Sequence, residues 1–362
     1  MKRIGILTFH DADNFGCVLQ CFALQEAIKS ICKNAEVEII NYSRNPVGSG
    51  LSEELKEEEQ RIRAKKFELF RKKYLNIHGD ITDDIKMIDS NRYDMCVVGS
   101  DQVWNYNLVY GREEAYFLGF ASDKARKISY AASLGSIMDD SEKVEWLKKW
   151  IVSMDAISIR EKSTIDKVES ITNKKVSCCI DPTLLHGSDF WMKYEKKPES
   201  LRNDKFILMY ALGYSWCREE ERKAAQMAAA IAMDKGYRVI HYYYGKLKEW
   251  LPDGSEHCYC EGPQEILWLF HHAEYVVCCS FHGTVFSVMY NRPFYTFYTP
   301  GNGSRMKDFV TSIGLGDRYI KDIKSPSDCD WNIMWESAHR KLVEIKTQSL
   351  NYLSSELHHL DC

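Results

Sequence analysis

Short apolar runs alternate with longer amphipathic stretches along most of the chain. Residues 4–9 and 37–42 are apolar runs of strand length, and between them apolar residues recur at helical spacing from Val18 to Ile28. Such alternation is typical of parallel strands connected by helices. The same pattern predicts further strands at 93–98, 127–131, 156–159, 176–179, 206–211, 238–243, 275–279 and 294–297, and helices at 52–74, 144–152, 163–168, 219–235, 262–271, 306–313 and 335–353. The hydrophobic pattern therefore predicts an α/β fold.

The length of the chain favours two domains. A chain of 362 residues is long for a single hydrophobic core. The stretch around Gly187 and Pro198 is rich in lysine and poor in apolar residues, which is typical of a linker. We therefore expect a first domain at 1–190, a linker at 191–204, a second domain at 205–325, and a helical segment at 326–362 that packs back on the first domain.

The predicted helix at 52–74 differs from the others because it is highly charged. Glu and Lys or Arg side chains often lie four residues apart, and one face carries Phe67, Phe70 and Tyr74. This pattern indicates a solvated helix packed on its domain by one apolar stripe. A lid or acceptor-binding element is the alternative.

Charge and hydropathy exclude several classes of protein. The formal net charge is −4 and the pI is about 6.3, so the chain lacks the excess of positive charge that is typical of nucleic-acid-binding proteins. The longest apolar runs are too short to span a bilayer. Residues 1–7 predict a strand and not a signal peptide, because no apolar segment with a small-residue cleavage site follows. We expect a cytoplasmic protein, and peripheral association with the inner face of the membrane stays open.

Thirteen cysteines are compatible with a cytoplasmic protein if they are reduced. Several lie in apolar, strand-like runs, where a thiol acts as a small hydrophobic group. Cys258 and Cys260 form a compact pair beside His257, but no second pair lies at zinc-finger spacing. The sequence therefore favours structural thiols over a metal site.

Other potential metal ligands are interpreted in the same way. Asp11 and Asp13 resemble a pair of metal carboxylates, but no third acidic residue has matching spacing. His271 and His272 are interpreted as structural residues. We expect neither a metal ion nor a redox cofactor.

One junction between a strand and a helix concentrates chemical groups. The predicted strand at 275–279 leads into Ser280, His282, Gly283 and Thr284, and apolar residues at helical spacing follow. Open α/β sheets bind ligands at such strand ends, and the backbone N–H groups of a helix start attract anions. His282 is thus a candidate general acid for an anionic substrate. The alternative is a core histidine bonded to a carbonyl group.

Polar residues also follow four strands in the first half of the chain, namely Asp101, Ser133, Arg160 and Asp181. Arg160 suits a clamp for a carboxylate or phosphate, since guanidinium binds both through two bonds; a salt bridge to Glu161 is equally compatible. Asp101 is a candidate base for a sugar hydroxyl, or else a cap for the following turn. Asn14 and Gly16 either position an acceptor or simply form a turn.

Six motifs together resemble the polysaccharide pyruvyl transferase family over residues 5–317. They are Asp13-Asn-Phe-Gly-Cys-Val-Leu-Gln20 with Ala23-Leu-Gln25, Gly99-Ser-Asp-Gln-Val-Trp-Asn105, Tyr130-Ala-Ala-Ser-Leu-Gly135, Ser158-Ile-Arg-Glu-Lys-Ser163, Asp181-Pro-Thr183, and Ser280-Phe-His-Gly-Thr284. Each motif is weak alone, and their order makes the resemblance specific.

The resemblance implies two Rossmann-like domains that face each other across a cleft, in a glycosyltransferase-B-like arrangement. It implies transfer of the enolpyruvyl group of phosphoenolpyruvate to a sugar or lipid-linked oligosaccharide, which forms a cyclic ketal and releases phosphate. The first domain would be the acceptor side and the second the donor side. Phosphoenolpyruvate is then a co-substrate, and no cofactor is needed. The acceptor and the oligomeric state are left open.

The resemblance also implies roles for individual residues. His282 looks like the catalytic histidine of the family, and Arg160 looks like its arginine that binds phosphoenolpyruvate. The family often has an arginine where this chain has Ser280, and Arg305 is a candidate replacement. The expected residues are His282 and Asp101 for catalysis, Arg160, Ser280, Gly283, Thr284 and Arg305 for the donor, and Asn14, Gly16, Ser100 and Trp104 for the acceptor.

Two alternatives belong to other functional classes. The same two-domain architecture hosts transferases that use a nucleotide-sugar donor. A non-catalytic glycan-binding protein is the second, because 21 tyrosines and 9 tryptophans are compatible with sugar stacking.

Overall fold

The structure is a computed structural model that describes residues 1–43, 57–135, 140–199, 201–202, 204–213, 217–242, 254–300 and 303–360. Within these residues the chain forms two compact units. Unit 1 comprises the described residues of 1–49, 71–186 and 343–362, and unit 2 comprises those of 50–70 and 187–342.

Unit 1 alternates strands and helices from its first residue. Its elements are β1 Lys2–Leu7, α1 Phe15–Ile31, β2 Ala35–Tyr42, the end of α2 Glu57–Tyr74, β3 Ile77–Thr82, β4 Met95–Val98, α3 Tyr106–Val109, α4 Glu113–Tyr116, β5 Arg126–Ser129, α5 Ser141–Ile151, β6 Ile157–Ile159, α6 Ile165–Thr172 and β7 Val176–Cys178.

The sheet of unit 1 is parallel, with strand order β3-β2-β1-β4-β5. Ile6 of β1 lies opposite Ile39 of β2 on one side and Val97 of β4 on the other. Isolated bridges from β5 continue the sheet to the pair β6-β7. Central strands are buried on both faces, which explains why they read as continuous apolar runs in the sequence.

Unit 2 repeats the alternation. Its elements are the first part of α2, α7 Ser188–Met192, β8 Phe206–Tyr210, α8 Arg218–Lys235, β9 Arg238–Tyr242, β10 Glu256–His257, α9 Pro263–His272, β11 Tyr275–Cys278, α10 Phe281–Met289, β12 Phe294–Phe297, α11 Gly303–Ser312, β13 Tyr319–Ile320 and the start of α12 Trp335–His358. All strands are parallel, in the order β10-β9-β8-β11-β12-β13. Two Rossmann-like units, as predicted, therefore make up the described chain.

The last helix, α12, ends on unit 1. The hydroxyl of Tyr352 donates to the carbonyl of Ser129 over 2.8 Å, and Glu356 pairs with Arg126 at 2.6 Å. The hydroxyl of Ser349 accepts from the backbone N–H of Ile180 over 3.0 Å. These bonds confirm the prediction that the C-terminal helix packs back on the first domain.

Some details differ from the sequence-based expectations. The short strands β3, β10 and β13 were not predicted; β3 is largely exposed and polar, so it lacks the apolar run that marks a buried strand. Residues 57–70 of the charged helix belong to unit 2 although the chain then returns to unit 1. The predicted positions 52–56 and 243, and residues 200 and 203 of the predicted linker, lie outside the described residues. The domain and linker boundaries stay predictions.

None of the helices in the described part of the chain combines the length and apolar composition needed to cross a bilayer. Eleven of the described cysteines carry free thiols, in line with the expectation. Cys32 departs from it, because it is disulfide-bonded.

Candidate functional site

Each sheet has a point where the strand order reverses. In unit 1 the reversal lies between the adjacent strands β1 and β4, and in unit 2 it lies between β8 and β11. On each side of these pairs, later strands are added outward. Ligands of open α/β sheets bind outside the carboxyl ends of strands at such a point. Asp101 follows β4 and His282 follows β11, whereas Arg160 follows β6, which lies outside the five-stranded sheet. Each unit is described separately.

Asp101 is the third residue after β4, in a loop with left-handed backbone conformations. Its φ is +69°, a left-handed conformation that Asp tolerates better than most residues. One carboxylate oxygen accepts from the backbone N–H of Gln102 over 2.8 Å and the other accepts from the thiol of Cys17 over 3.1 Å. Gly99 precedes it with φ +116°, and a Cβ there would overlap the carbonyl oxygen of Tyr130. The loop thus requires glycine and fixes a carboxylate at the strand end.

Arg160, which follows β6, forms a buried ion pair. Its Nη1 donates to Oδ2 of Asp181 over 2.7 Å, and its Nε lies 3.5 Å from Oε1 of Glu161. The side chains of Arg160 and Asp181 are 4% and 0% exposed. Burial works against the charged guanidinium, but the carboxylates of Asp181, Glu161 and Asp101 outweigh it and raise the pKa of Arg160. The arginine is therefore charged and already compensated by carboxylates.

The predicted acceptor residues have structural roles in unit 1. Asn14 is the N-cap of α1, and its side-chain oxygen accepts from the backbone N–H of Gly16 over 2.9 Å. The buried hydroxyl of Ser100 donates to the carbonyl of Ala131 over 2.8 Å. Trp104 is fully buried; its indole ring stacks on Phe117 at 5.2 Å between centroids. The aromatic face of Trp104 thus packs against protein.

His282 occupies the first turn of α10, directly after β11. Ser280 is the N-cap residue, and its hydroxyl lies 3.5 Å from the backbone nitrogen of Gly283. Thr284 points inward, since its hydroxyl donates to the carbonyl of Ser280 over 2.8 Å and lies 2.9 Å from the hydroxyl of Thr296. The structure therefore gives Ser280 and Thr284 a definite local role, which is to start the helix that carries His282.

Gly283 lets α10 approach the sheet. A Cβ at this position would lie 2.9 Å from a ring carbon of Tyr210 and 3.2 Å from Cβ of Cys278. Real Cβ atoms essentially never lie as close as 2.9 Å to another heavy atom, so glycine is needed for the close packing of the helix on β8 and β11. This contact fixes the position of the first turn and hence of the His282 side chain.

Arg305 of α11 reaches the same corner of unit 2. Its guanidinium carbon lies 5.7 Å from the centroid of the Phe281 ring. The ring of His282 meets Phe281 edge-on at 5.3 Å. A guanidinium and an imidazole thus contact one aromatic ring at the N-terminus of a helix, where partial positive charge also favours an anion.

The two strand-end clusters differ in charge. In unit 1, three carboxylates from Asp101, Glu161 and Asp181 surround Arg160, so their formal sum is negative. In unit 2, Arg305 and the start of α10 present positive charge beside His282. The first arrangement suits hydrogen bonding to hydroxyl groups, and the second suits an anion next to a proton donor.

A buried polar network in unit 1 was missed by sequence reasoning. Gln20 donates to the hydroxyl of Thr8 over 2.8 Å, and Thr8 donates to the carbonyl of Ser100 over 2.9 Å. Glu161 accepts from the hydroxyl of Ser133 over 2.6 Å. Gln20 lies on an otherwise apolar helix face, which is the signal that could have indicated a buried partner.

The acidic pair near the start of the chain is also engaged. Asp13 pairs with Arg71 at 3.0 Å, and Asp11 accepts a hydrogen bond from Ser43. Both carboxylates therefore have protein partners.

These strand-end sites on two Rossmann-like units define a two-domain α/β protein of the glycosyltransferase-B-like class. Solved structures of sugar-nucleotide enzymes share the fold over almost the whole chain. A sequence model of the family described as polysaccharide pyruvyl transferase matches residues 14–300, and the chain belongs to this family. No curated protein matches the chain.

Three solved structures are similar to this chain to different degrees. A UDP-GlcNAc 2-epimerase from Methanocaldococcus jannaschii, in complex with UDP-GlcNAc and UDP, has 14% identity and a TM-score of 0.51, covering 96% of this chain and 99% of that one. UGT2 of Phytolacca americana, complexed with UDP-2-fluoro-glucose and pterostilbene, has 10% identity and a TM-score of 0.51 over 100% of both chains. An O-GlcNAc transferase mutant from Thermobaculum terrenum has 10% identity and a TM-score of 0.48, covering 99% of this chain and 66% of that one.

Proposed function

We propose that the protein transfers the enolpyruvyl group of phosphoenolpyruvate to two hydroxyls of a sugar in a cell-surface or capsule polysaccharide, or in its precursor. The products are a cyclic pyruvate ketal and inorganic phosphate. The observation that carries the proposal is the corner formed by His282, Phe281 and Arg305 at the start of α10, in a chain of the pyruvyl transferase family. A proton donor beside positive charge is what an anionic enol ester requires.

The proposed chemistry balances without a cofactor. A proton adds to the methylene carbon of phosphoenolpyruvate, which becomes the methyl group and leaves an oxocarbenium-like centre at C2. One sugar hydroxyl attacks C2 and loses its proton. The bond from C2 to the phosphate oxygen then breaks, and a second hydroxyl closes the ketal and loses its proton. One of the two hydroxyl protons restores the acid that protonated the carbon, and the other leaves with phosphate.

The residues divide between donor and acceptor according to their charge. His282 is the proposed acid, because it lies at a helix start where an anion is favoured. Arg305 is the proposed partner of the donor's phosphate or carboxylate. Asp101 is the proposed base for a sugar hydroxyl in unit 1. Arg160 ranks below Arg305 as a proposed donor-binding residue, because Asp181 already compensates its charge.

The test is a phosphate-release assay with phosphoenolpyruvate and a panel of galactosides, mannosides and N-acetylhexosamine glycosides. We expect phosphate release that depends on one acceptor class, with a product whose mass exceeds the acceptor by pyruvic acid less one water. Lipid-linked forms of the acceptor belong in the panel, because the proposed setting is envelope synthesis at the inner face of the membrane. Absence of release with every acceptor, together with absence of a thermal shift by phosphoenolpyruvate, would contradict the proposal.

A nucleotide-sugar transferase is the second candidate. It is favoured by the fold likeness to UGT2 of Phytolacca americana, which was solved with a UDP-sugar analogue. The two candidates differ in their ligands. A thermal shift caused by UDP or a UDP-sugar, with none caused by phosphoenolpyruvate, would favour this second candidate.

A further inference from the structure

Three potential metal ligands lie together in unit 2, and the proposed function does not use them. Glu195 follows α7, and His271 and His272 form the last turn of α9. One ligand atom from each side chain lies within 4.8 Å of the others. We propose that Glu195, His271 and His272 bind a divalent transition-metal ion of the Zn²⁺ class, which fastens the segment after α7 to α9.

The rings are held in place by contacts that do not use all their nitrogens. Nδ1 of His272 lies 3.0 Å from the carbonyl oxygen of Trp268, and the ring stacks on the Trp268 indole at 4.2 Å. A bond from one ring nitrogen to a backbone carbonyl is the usual second-shell support of a metal-binding histidine, and it leaves Nε2 for the ion. His271 is held by stacking on Tyr290 at 4.8 Å.

The carboxylate completes the donor set. Oε2 of Glu195 lies 2.8 Å from Nδ1 of His271. Two ligands bound to Zn²⁺ at about 2.1 Å and a tetrahedral angle are about 3.4 Å apart. The Glu195–His271 pair therefore needs to open by only about half an ångström, while His272 must move closer.

The donor atoms of this cluster suit a transition-metal cation. The carboxylate of Glu195 supplies negative charge beside the two imidazoles. Two imidazoles and one carboxylate favour Zn²⁺, Co²⁺ or Ni²⁺ over Mg²⁺ or Ca²⁺, which prefer oxygen ligands.

The location indicates a structural ion and not a catalytic one. The segment that carries Glu195 is already joined to α9, because Gln264 donates to the carbonyl of Tyr194 over 2.8 Å. His271 also contacts Tyr290, the C-cap of α10. His282 lies eight residues earlier on that helix, about 12 Å along its axis. A bound ion would therefore strengthen unit 2 without occupying the proposed active site.

The experiment measures Co²⁺ and Zn²⁺ binding to the full chain by calorimetry and thermal shift, with Mg²⁺ as the negative control. We expect Zn²⁺ to raise the melting temperature and EDTA to reverse the rise. Glu195→Gln and His272→Ala should each weaken Zn²⁺ binding by at least about tenfold, whereas His339→Ala should not. His339 is a matched control, since it bonds to Asn291 and lies outside the cluster.

The Co²⁺ spectrum separates this site from the free thiols. Nitrogen and oxygen ligands give only weak visible bands, whereas thiolate ligands add intense charge-transfer bands in the near ultraviolet. Weak bands that disappear in both cluster variants would support the proposal. Thiolate bands, binding that persists unchanged in both variants, or no thermal shift with any transition-metal ion would overturn it and leave Glu195–His271 as a hydrogen bond only.

Discussion

Asp181 accepts a hydrogen bond from Nη1 of Arg160 over 2.7 Å while both side chains are almost completely buried. The other oxygen of Asp181 accepts from the hydroxyl of Thr183 over 2.7 Å. The bond connects the residue after β6 to the turn after β7 and so holds together two strand ends of unit 1. Removing one partner of such a pair costs more than forming the pair gains, because a charge is left buried.

We expect Arg160→Ala to lower the free energy of unfolding by about 3–5 kcal/mol, because Asp181 would then lack its counter-charge. Arg160→Lys should lose less, since it keeps the positive charge. Urea unfolding followed by circular dichroism measures the difference. Arg222→Ala is the control, because Arg222 pairs with Glu219 on an exposed helix face, and it should change little.

The buried Arg160–Asp181 pair couples activity to stability, so a loss of activity at Arg160 has two possible causes. An inactive Arg160→Ala protein that is also less stable does not identify a donor-binding residue. Arg160→Lys, assayed below its unfolding temperature, is the more informative variant. An Arg160→Ala protein as stable as the parent would contradict the role given to the ion pair.

His282→Ala should lower turnover by about 10²–10⁴-fold if His282 is the acid. We expect the fold to survive, because His282 lies in the first turn of α10 and not in the body of the helix. Phosphate release measures turnover, and thermal unfolding measures the fold. His339→Ala serves as the control histidine on α12. Unchanged turnover in His282→Ala would rule out the acid role.

Two substitutions of Ser280 separate its capping role from a role in donor binding. Ser280→Ala should cost about 1 kcal/mol of stability through the lost N-cap. Ser280→Asp keeps a capping side chain and should preserve stability, but it adds a negative charge where the anionic donor is proposed to bind. We therefore expect Ser280→Asp to raise the KM for phosphoenolpyruvate. An unchanged KM in a stable Ser280→Asp protein would place the donor elsewhere.

Gly283→Ala should destabilise unit 2. Overpacking against Tyr210 and Cys278 costs about 1–3 kcal/mol, and the better helix propensity of alanine returns at most about 1 kcal/mol. Gly187→Ala is a matched control, because a Cβ there meets no atom within 4 Å. Thermal unfolding should show a lower midpoint for Gly283→Ala alone. Equal midpoints for the two variants would show that α10 has room to move.

The prediction of buried strands from sequence was more successful than the prediction of exposed ones. Strands β4, β8 and β11 are buried throughout and appear as continuous apolar runs. Strand β3 is exposed at most positions, so its residues give no such signal. Helix α2 was predicted from its charge pairs, but its division between units depends on contacts that no local pattern records.

The sequence by itself determined the α/β class, the family, and the polar residues that follow the strands, because these depend on local hydrophobic period and on residue order. Tertiary structure decided what those residues contact. It pairs Arg160 with Asp181, buries Trp104 in the core, and places Arg305 and His282 on the same phenylalanine ring. The physical reason is that charge compensation and burial depend on neighbours far apart in the chain, whereas strand and helix periods depend on neighbours within a few residues.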